Sequence, residues 1–299
     1  MGDEPLEFVM ITTRSQRWRD RRASFVPSAS EIDPRRLAVD VIDTRRDATP
    51  FVEAHHYAGS MPVCRLAVGL FRNGPGGRSE LAGVCTFSVP INNASVPKSA
   101  GLGDPLSACD LGRLVLLDDI GGNGESFLVS RAFRLLRRER PGILSVISYA
   151  DPVRRVDADG RIYLPGHVGQ LYATMGSRYV GRSTPRYDLL LPNGRPVSSR
   201  ALSKIRTGET GERYAIDQLV QAGATPPDFG QDRAEWLASL ERSGLLRRRR
   251  HPGNHVYVFP LTKAARLAVR KVPSLPYPVL DRAAIEGDVT ALPLLALAA

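Results

Sequence analysis

Residues 37–42 alternate between the apolar Leu37, Val39 and Val41 and less apolar neighbours, and this two-residue period predicts a strand. Thr49-Pro50-Phe51-Val52 reads as a helix start, with Thr49 as N-cap and Pro50 in the first turn, and the helix ends near His55-His56-Tyr57-Ala58-Gly59. Apolar runs at 64–71 and 81–89 predict two strands. The glycine-rich turn 73–78 joins them into a hairpin, and Pro90, which cannot donate to a ladder, ends the second strand. Residues 91–112, rich in Asn, Ser, Gly and Pro, predict a loop. A short strand at 114–117 then runs into Gly121-Gly122-Asn123-Gly124-Glu125-Ser126. After this loop Leu128, Ala132, Leu135 and Leu136 recur with helical spacing, with Arg131, Arg134, Arg137 and Arg138 largely on the other faces, until Pro141-Gly142 stops the helix. Residues 143–149 form a mostly apolar run of strand length, with Ser145 and Ser148 within it, the pattern of a buried central strand, closed by Asp151-Pro152.

Further on, 168–175 predicts a short helix, and 179–181, 187–191 and 255–259 predict extended segments. Between the last two lies an insert. Residues 212–222 read as a helix burying Tyr214, Ile216, Leu219 and Val220; Pro226-Pro227 breaks it; residues 232–246 read as a second helix carrying Trp236, Leu237 and Leu240. The organisation that follows is a basic arm over 1–35, an α/β domain over 36–262 with a helical insert at about 208–247, and a tail over 263–299.

Composition adds a partner class. The chain has 299 residues, with 41 Lys+Arg against 31 Asp+Glu and a formal charge of +10, a balance that favours polyanionic partners. Arginine-rich coding gives the same balance with no such partner. Arg14, Arg17, Arg19, Arg21 and Arg22 surround Trp18 in the arm, and Arg247-Arg248-Arg249-Arg250-His251 follows the insert. Both clusters are able to meet phosphates, and both are equally readable as solvated charge. Three cysteines, Cys64, Cys85 and Cys109, at wide spacing form neither a disulfide framework nor a CxxC zinc pattern. With no signal-peptide pattern and no apolar run of membrane length, a cytoplasmic protein with no membrane association is expected.

The chemistry centres on the glycine loop. Glycines between a strand and a helix expose backbone N–H groups at the positive end of the helix dipole, an arrangement that holds phosphate. An ordinary tight turn has the same composition, and at this point both readings stand.

The order strand, glycine loop, helix, strand, helix, strand resembles the GNAT acyltransferase fold, a mixed and mostly antiparallel central sheet flanked by helices. Leu171-Tyr172-Ala173-Thr174-Met175-Gly176, with Tyr179 beyond, is similar to its Leu-Tyr helix, whereas Gly121 to Ser126 departs from the usual Arg/Gln-x-x-Gly-x-Gly/Ala loop. A more specific resemblance is to the Mom family of phage DNA-modification proteins, divergent GNAT-like enzymes. It rests on His55-His56-Tyr57-Ala58-Gly59-Ser60, Asn123-Gly124-Glu125-Ser126-Phe127, Ser148-Tyr149-Ala150-Asp151-Pro152, Pro165-Gly166-His167-Val168-Gly169-Gln170-Leu171-Tyr172 and His251-Pro252-Gly253-Asn254-His255, in that order.

The Mom resemblance implies transfer of a carbamoylmethyl-type group to N6 of adenine in double-stranded DNA, protecting it from restriction. The GNAT resemblance implies acetyl-CoA or a related acyl donor, with Gly122, Asn123, Gly124 and Ser126 as the candidate cradle and Arg113 as a candidate for a donor phosphate or a surface arginine at a strand start. Tyr172 would protonate the departing thiolate. His56, Tyr57 and Asp151 would act in acid–base or base-binding roles, or ligate an iron. His55 and His56 on one helix would point about 100° apart, so one of them enters the site. Glu125 reads as a helix-start residue. Two other classes remain open from the residues themselves: a GNAT acyltransferase on a protein, small amine or tRNA, and a non-enzymatic DNA-binding protein in which 208–262 forms a winged-helix-like unit of two helices and a basic hairpin. Oligomeric state is open, a dimer included.

Overall fold

A computed structural model describes residues 14–19, 22–27, 31–73, 79–90, 92–160, 162–164 and 166–278, with side chains from residue 31 onward. The arm's arginines and Trp18, the turn at 74–78 and the end from 279 lie outside the described side chains.

In chain order the elements are β1 (Arg14–Arg19), β2 (Arg22–Pro27), β3 (Leu37–Ile42), α1 (Thr49–His55), β4 (Cys64–Asn73), β5 (Ser79–Ser88), β6 (Ala108–Leu116), α2 (Gly124–Glu139), β7 (Ser145–Ala150), β8 (Arg155–Val156), β9 (Ile162–Leu164) and α3 (Gln170–Thr174). They continue with β10 (Arg178–Arg182), β11 (Arg186–Leu190), α4 (Ser199–Thr207), α5 (Glu212–Gln221), α6 (Arg233–Arg242), β12 (Arg247–His251), β13 (His255–Pro260) and α7 (Lys263–Arg270).

Two compact units result. One holds residues 1–148, 168–180 and 257–299; the other holds 149–167 and 181–256. The second unit contains the expected insert and extends beyond it on both sides.

The first unit is built on a seven-stranded sheet in the order β10-β13-β7-β6-β5-β4-β3. Strands β3 to β6 form an antiparallel meander, and β6 pairs with β7 in parallel, so the sheet is mixed and mostly antiparallel. α2 covers one face. Its Leu128, Ala132 and Leu136 are fully buried against Val68, Leu70, Phe87, Cys109 and Val146 of the strands. Each buried leucine contributes about 1.5–3 kcal/mol. Val52 and Ala48 pack with Ala67, Val84 and Val115 in a separate cluster. Cys85 and Cys109 are core residues whose thiols burial pushes well above the usual range.

Several local expectations are corrected. The N-cap at Thr49 is not formed. A preceding π-turn, Thr44–Ala48, is capped by the Asp43 side chain, and the Thr49 hydroxyl donates to Thr44 O. The expected loop 91–112 ends early, because β6 begins at Ala108; buried Ala108, Cys109 and Asp110 already pair with β7. α4 and α7 form where the sequence pattern predicts no helix. Both are short and bury only two residues each, Leu202 and Ile205 in α4, Ala265 and Val269 in α7. Among the described residues no helix is long and apolar enough to cross a membrane.

One irregularity in the sheet positions chemistry. The β5–β6 register shifts between Thr86 and Phe87: Thr86 faces Arg113 while Phe87 faces Leu111, leaving Gly112 as the extra residue of a bulge. A Cβ at Gly112 would overlap Ser88 Oγ and reach 3.0 Å from Thr86 Oγ1. Only glycine therefore lets the two strands close there. Gly112→Ala is expected to destabilise the fold by about 1–3 kcal/mol in urea unfolding. Adding Ser88→Ala should recover part of the loss; equal stability of Gly112→Ala and the parent chain would contradict the bulge.

Candidate functional site

The parallel pairing of β6 and β7 spans only Ala108 to Asp110 against Ser145 to Ile147. Beyond Asp110 the bulge turns β6 away, and the two strands separate. Two hydroxyls around this opening, Thr86 Oγ1 and Ser148 Oγ, are buried and have no hydrogen-bond partner among the described residues. Buried polar atoms are normally satisfied, so orphans at an opening mark a place for a ligand or water.

Past the bulge, Arg113 is half-buried and held by neutral oxygens only. Its Nε donates to Ser60 O at 2.9 Å, Nη1 to Gly112 O at 2.7 Å and Nη2 to Ser60 Oγ at 3.4 Å. Among the described residues no carboxylate pairs with it. Its burial disfavours the charged form, and the charge of a Tyr57 phenolate would act the other way. A desolvated guanidinium without a counter-ion is a ready partner for an anionic ligand or a developing oxyanion.

His56 lies just past α1 as its C-cap, in extended conformation (φ −94°, ψ 136°), so the two histidines do not share a helical geometry. His55 packs on Phe51 with ring centroids 4.6 Å apart, whereas the His56 ring lies 4.3 Å from that of Tyr57. His56 Nδ1 accepts the Ala58 N–H at 3.1 Å, which puts the ring proton of the neutral form on Nε2. Burial, reinforced by the charge of Arg113, pushes the imidazole pKa down to about 3. At neutral pH His56 is thus a neutral donor and a packing surface for Tyr57, and too weak a base to take a proton.

Tyr172, on α3, packs against the α2-side core with Tyr257 at 5.4 Å and Phe259 at 6.2 Å between ring centroids. α3 begins at Gly169, whose φ of 80° already favours glycine, and a Cβ there would come within 2.6 Å of Tyr257 Cε2, so a larger residue is excluded. Desolvation, then the neighbouring Tyr57, Cys85 and Tyr257, push the Tyr172 phenol well above its usual value. His56, Tyr57, Arg113 and Tyr172 all belong to the first unit, with the His56 ring against Tyr57 and Arg113 bonded to Ser60 a few residues on.

The glycine loop is a structured helix start. Asn123 is the N-cap but makes no capping bond with its side chain; its Oδ1 instead accepts Ile32 N–H at 3.4 Å. Gly124 N–H bonds Gly121 O at 3.0 Å, Ser126 Oγ donates to Asn123 O at 3.0 Å, and Phe127 N–H makes the first helical bond, to Asn123 O. Several of the expected cradle groups are thus used to build the turn at the start of α2.

Asp151 belongs to the other unit. Its Oδ1 accepts from Val153 N–H and His251 Nε2, both at 2.9 Å, and its Oδ2 pairs with Arg155 at 2.6 Å. Burial works against ionisation there, but Arg155 and the hydrogen bonds outweigh it and hold the carboxyl below the usual range. Fully buried His251 accepts Gly253 N–H on Nδ1, and Arg155 continues to Asp188, which Arg186 and Arg249 also approach. This network anchors the second unit. Among the described residues no three His, Cys, Asp or Glu side chains converge as metal ligands, and Asp151, the carboxylate of the expected iron set, is taken up by Val153, His251 and Arg155. Ser60 and the Gly112 bulge escaped the sequence reading, although a lone glycine inside Leu111-Gly112-Arg113-Leu114 is a recognisable bulge signal.

His56 yields a sharp test. Its folded pKa, about 3, lies below the unfolded value of about 6.5, so the stability it contributes is complete above pH 6.5 and is lost as pH falls toward 3. Its ring resonance should show no titration between pH 8 and 5. His56→Gln should flatten the acid limb of the unfolding free energy by up to about 1.4 kcal/mol per pH unit. A His56 ring titrating near 6.5 would refute this environment.

Among solved structures, the chain is similar to a tandem GNAT protein from the clavulanic acid biosynthesis pathway, at 9% identity and TM-score 0.37, covering 76% of this chain and 99% of that one. It is also similar to malonyl-CoA decarboxylase from Rhodopseudomonas palustris, at 12% identity and TM-score 0.30, covering 80% of this chain and 59% of that one. No curated protein matches it in sequence. The family model of the Mom protein family matches residues 36–279, which takes in the bulge, the Arg113 corner, the α2 mouth and Tyr172, and the chain belongs to that family.

Proposed function

We propose that the chain is a DNA-modifying transferase in which the N6 amine of adenine takes the acyl group of a thioester donor, the N–C bond forming as the C–S bond breaks and the amine giving up a proton as the thiol leaves. The observation that carries the reading is the gathering of His56, Tyr57, Tyr172 and an uncompensated Arg113 beside the opening of β6 from β7, in a chain of the Mom family. An acyl thioester such as acetyl-CoA fits this opening by its donor set: orphan hydroxyls at Thr86 and Ser148, an arginine charge without a counter-ion and the positive mouth of α2. Bound there, the thioester supplies an activated carbonyl.

The chain's own residues divide the remaining work. Arg113 offers positive charge where negative charge develops. The Tyr172 hydroxyl, kept protonated by its burial, holds a proton to give a leaving sulfur. Neutral His56 fixes the Tyr57 ring, and Tyr57 presents an aromatic face and hydroxyl toward the acceptor. The adenine reaches such a site only by leaving the base stack, at a cost of a few kcal/mol.

Expression in cells, digestion of their DNA and nucleoside mass spectrometry test the proposal; a new adenine adduct is expected, and unmodified adenine in well-expressing cells would count against it. Tyr172→Phe should lower adduct formation by roughly 10²–10⁴-fold without shifting the melting temperature. Arg113→Met should do so mainly through weaker donor binding. Activity of Tyr172→Phe equal to the parent would remove that tyrosine from the chemistry.

A further inference from the structure

The arginine run after the insert is a strand. β12 pairs antiparallel with β11, with Tyr187 opposite Arg250, Asp188 opposite Arg249 and Leu189 opposite Arg248. The winged-helix reading of 208–262 is thereby corrected, since β12 pairs with β11 while β13 joins the large sheet. Strand alternation sorts the arginines. Arg249 turns in toward buried Asp188, while Arg248 and Arg250 are exposed on the face that carries Tyr187.

That face is organised. Tyr187 is 60% exposed, and the Arg248 guanidinium sits 5.2 Å from its ring centroid, a cation–π perch that reduces the freedom of the arginine. Glu241 takes Arg248 Nε at 2.9 Å and leaves its terminal nitrogens outward. Arg206, on α4, lines the same hollow of about 120 Å³ with Ser199, over a floor of Leu189. Among the described residues neither Arg206 nor Arg250 has an acidic partner, whereas Arg200, Arg233 and Arg242 of the same unit are each paired with a glutamate. Arg206 and Arg248 against Glu241 leave a net charge of +1 around a dent with room for a phosphate or a few waters, and Arg250 adds a further positive charge on the same face of the strand.

We infer that the Tyr187–Arg248 perch, with Arg206 and Arg250, is a docking surface for the phosphate backbone of duplex DNA, separate from the residues that do the chemistry. The inference rests on the reading of DNA as the substrate and assigns part of its grip to the second unit. Phosphate contacts of this kind hold the duplex without reading its sequence.

The test is fluorescence anisotropy of the full chain with a labelled duplex of about 30 base pairs over a range of salt concentrations. The Arg206→Ala/Arg248→Ala/Arg250→Ala variant should weaken binding by at least about tenfold, with the slope of log affinity against log salt shallower by roughly 2–3. Tyr187→Ala should weaken it less, by about threefold, as Arg248 loses its perch. If the triple variant melts early, Arg250→Glu, which breaks no ion pair, should alone cost binding and salt slope. A parent chain with no salt-dependent duplex binding would overturn the DNA reading and this inference with it. A parent that binds, with Arg250→Glu and the triple variant matching it in affinity and slope, would overturn the inference alone and give these arginines to another partner.

Discussion

The site depends on one inserted residue. Between Leu111 and Arg113, β6 carries an extra position opposite β5, and only a glycine fits the space against Ser88. Two consequences follow from the same distortion. The strand leaves its parallel partner β7 after Asp110, which opens the sheet, and the next side chain, Arg113, is aimed at Ser60 and the His56–Tyr57 corner. A regular ladder at this point would place Arg113 on the opposite face, because a one-residue shift reverses every side chain beyond it. The bulge thus couples the opening between β6 and β7 to the placement of the Arg113 charge.

The electrostatics within this corner are consistent with transfer chemistry in which no histidine acts as the base. Burial and Arg113 keep His56 neutral, and burial keeps Tyr172 protonated. Arg113 brings charge without a counter-ion, at a desolvation cost that is compensated only by three bonds to neutral oxygens. Uncompensated charge of this kind is costly to a fold and is expected where a ligand completes it. By contrast, the buried charges of the second unit lie against one another: Asp151, Arg155, Asp188 and Arg249 form a network around fully buried His251.

Much of the framework is legible in the sequence. The alternation at 37–42 corresponds to β3 with the same bounds, and the helical spacing of Leu128, Ala132 and Leu136 is the buried stripe of α2. The mixed, mostly antiparallel sheet follows the layout that the family resemblance implied. What failed did so for physical reasons. The first half of β6 is hidden behind the Ser-, Asn- and Pro-rich stretch before it, and α4 and α7 span only nine and eight residues, too short for their periodicity to stand out. The joining of Arg113 to Ser60, just past His56 and Tyr57, spans 53 residues and depends on sheet register, which no local pattern encodes. Asp151 shows the reverse limit, since residue type suggested chemistry while its two oxygens are occupied by Val153, His251 and Arg155.

The central claim is that the separation of β6 from β7 at the Gly112 bulge is where the donor binds. Hydrogen exchange with and without coenzyme A measures it directly. Coenzyme A is expected to slow exchange in the segments around Leu111 to Leu116 and around Gly121 to Ser126, on either side of the opening. No protection at either segment, or protection confined to residues 186–251, would contradict the claim.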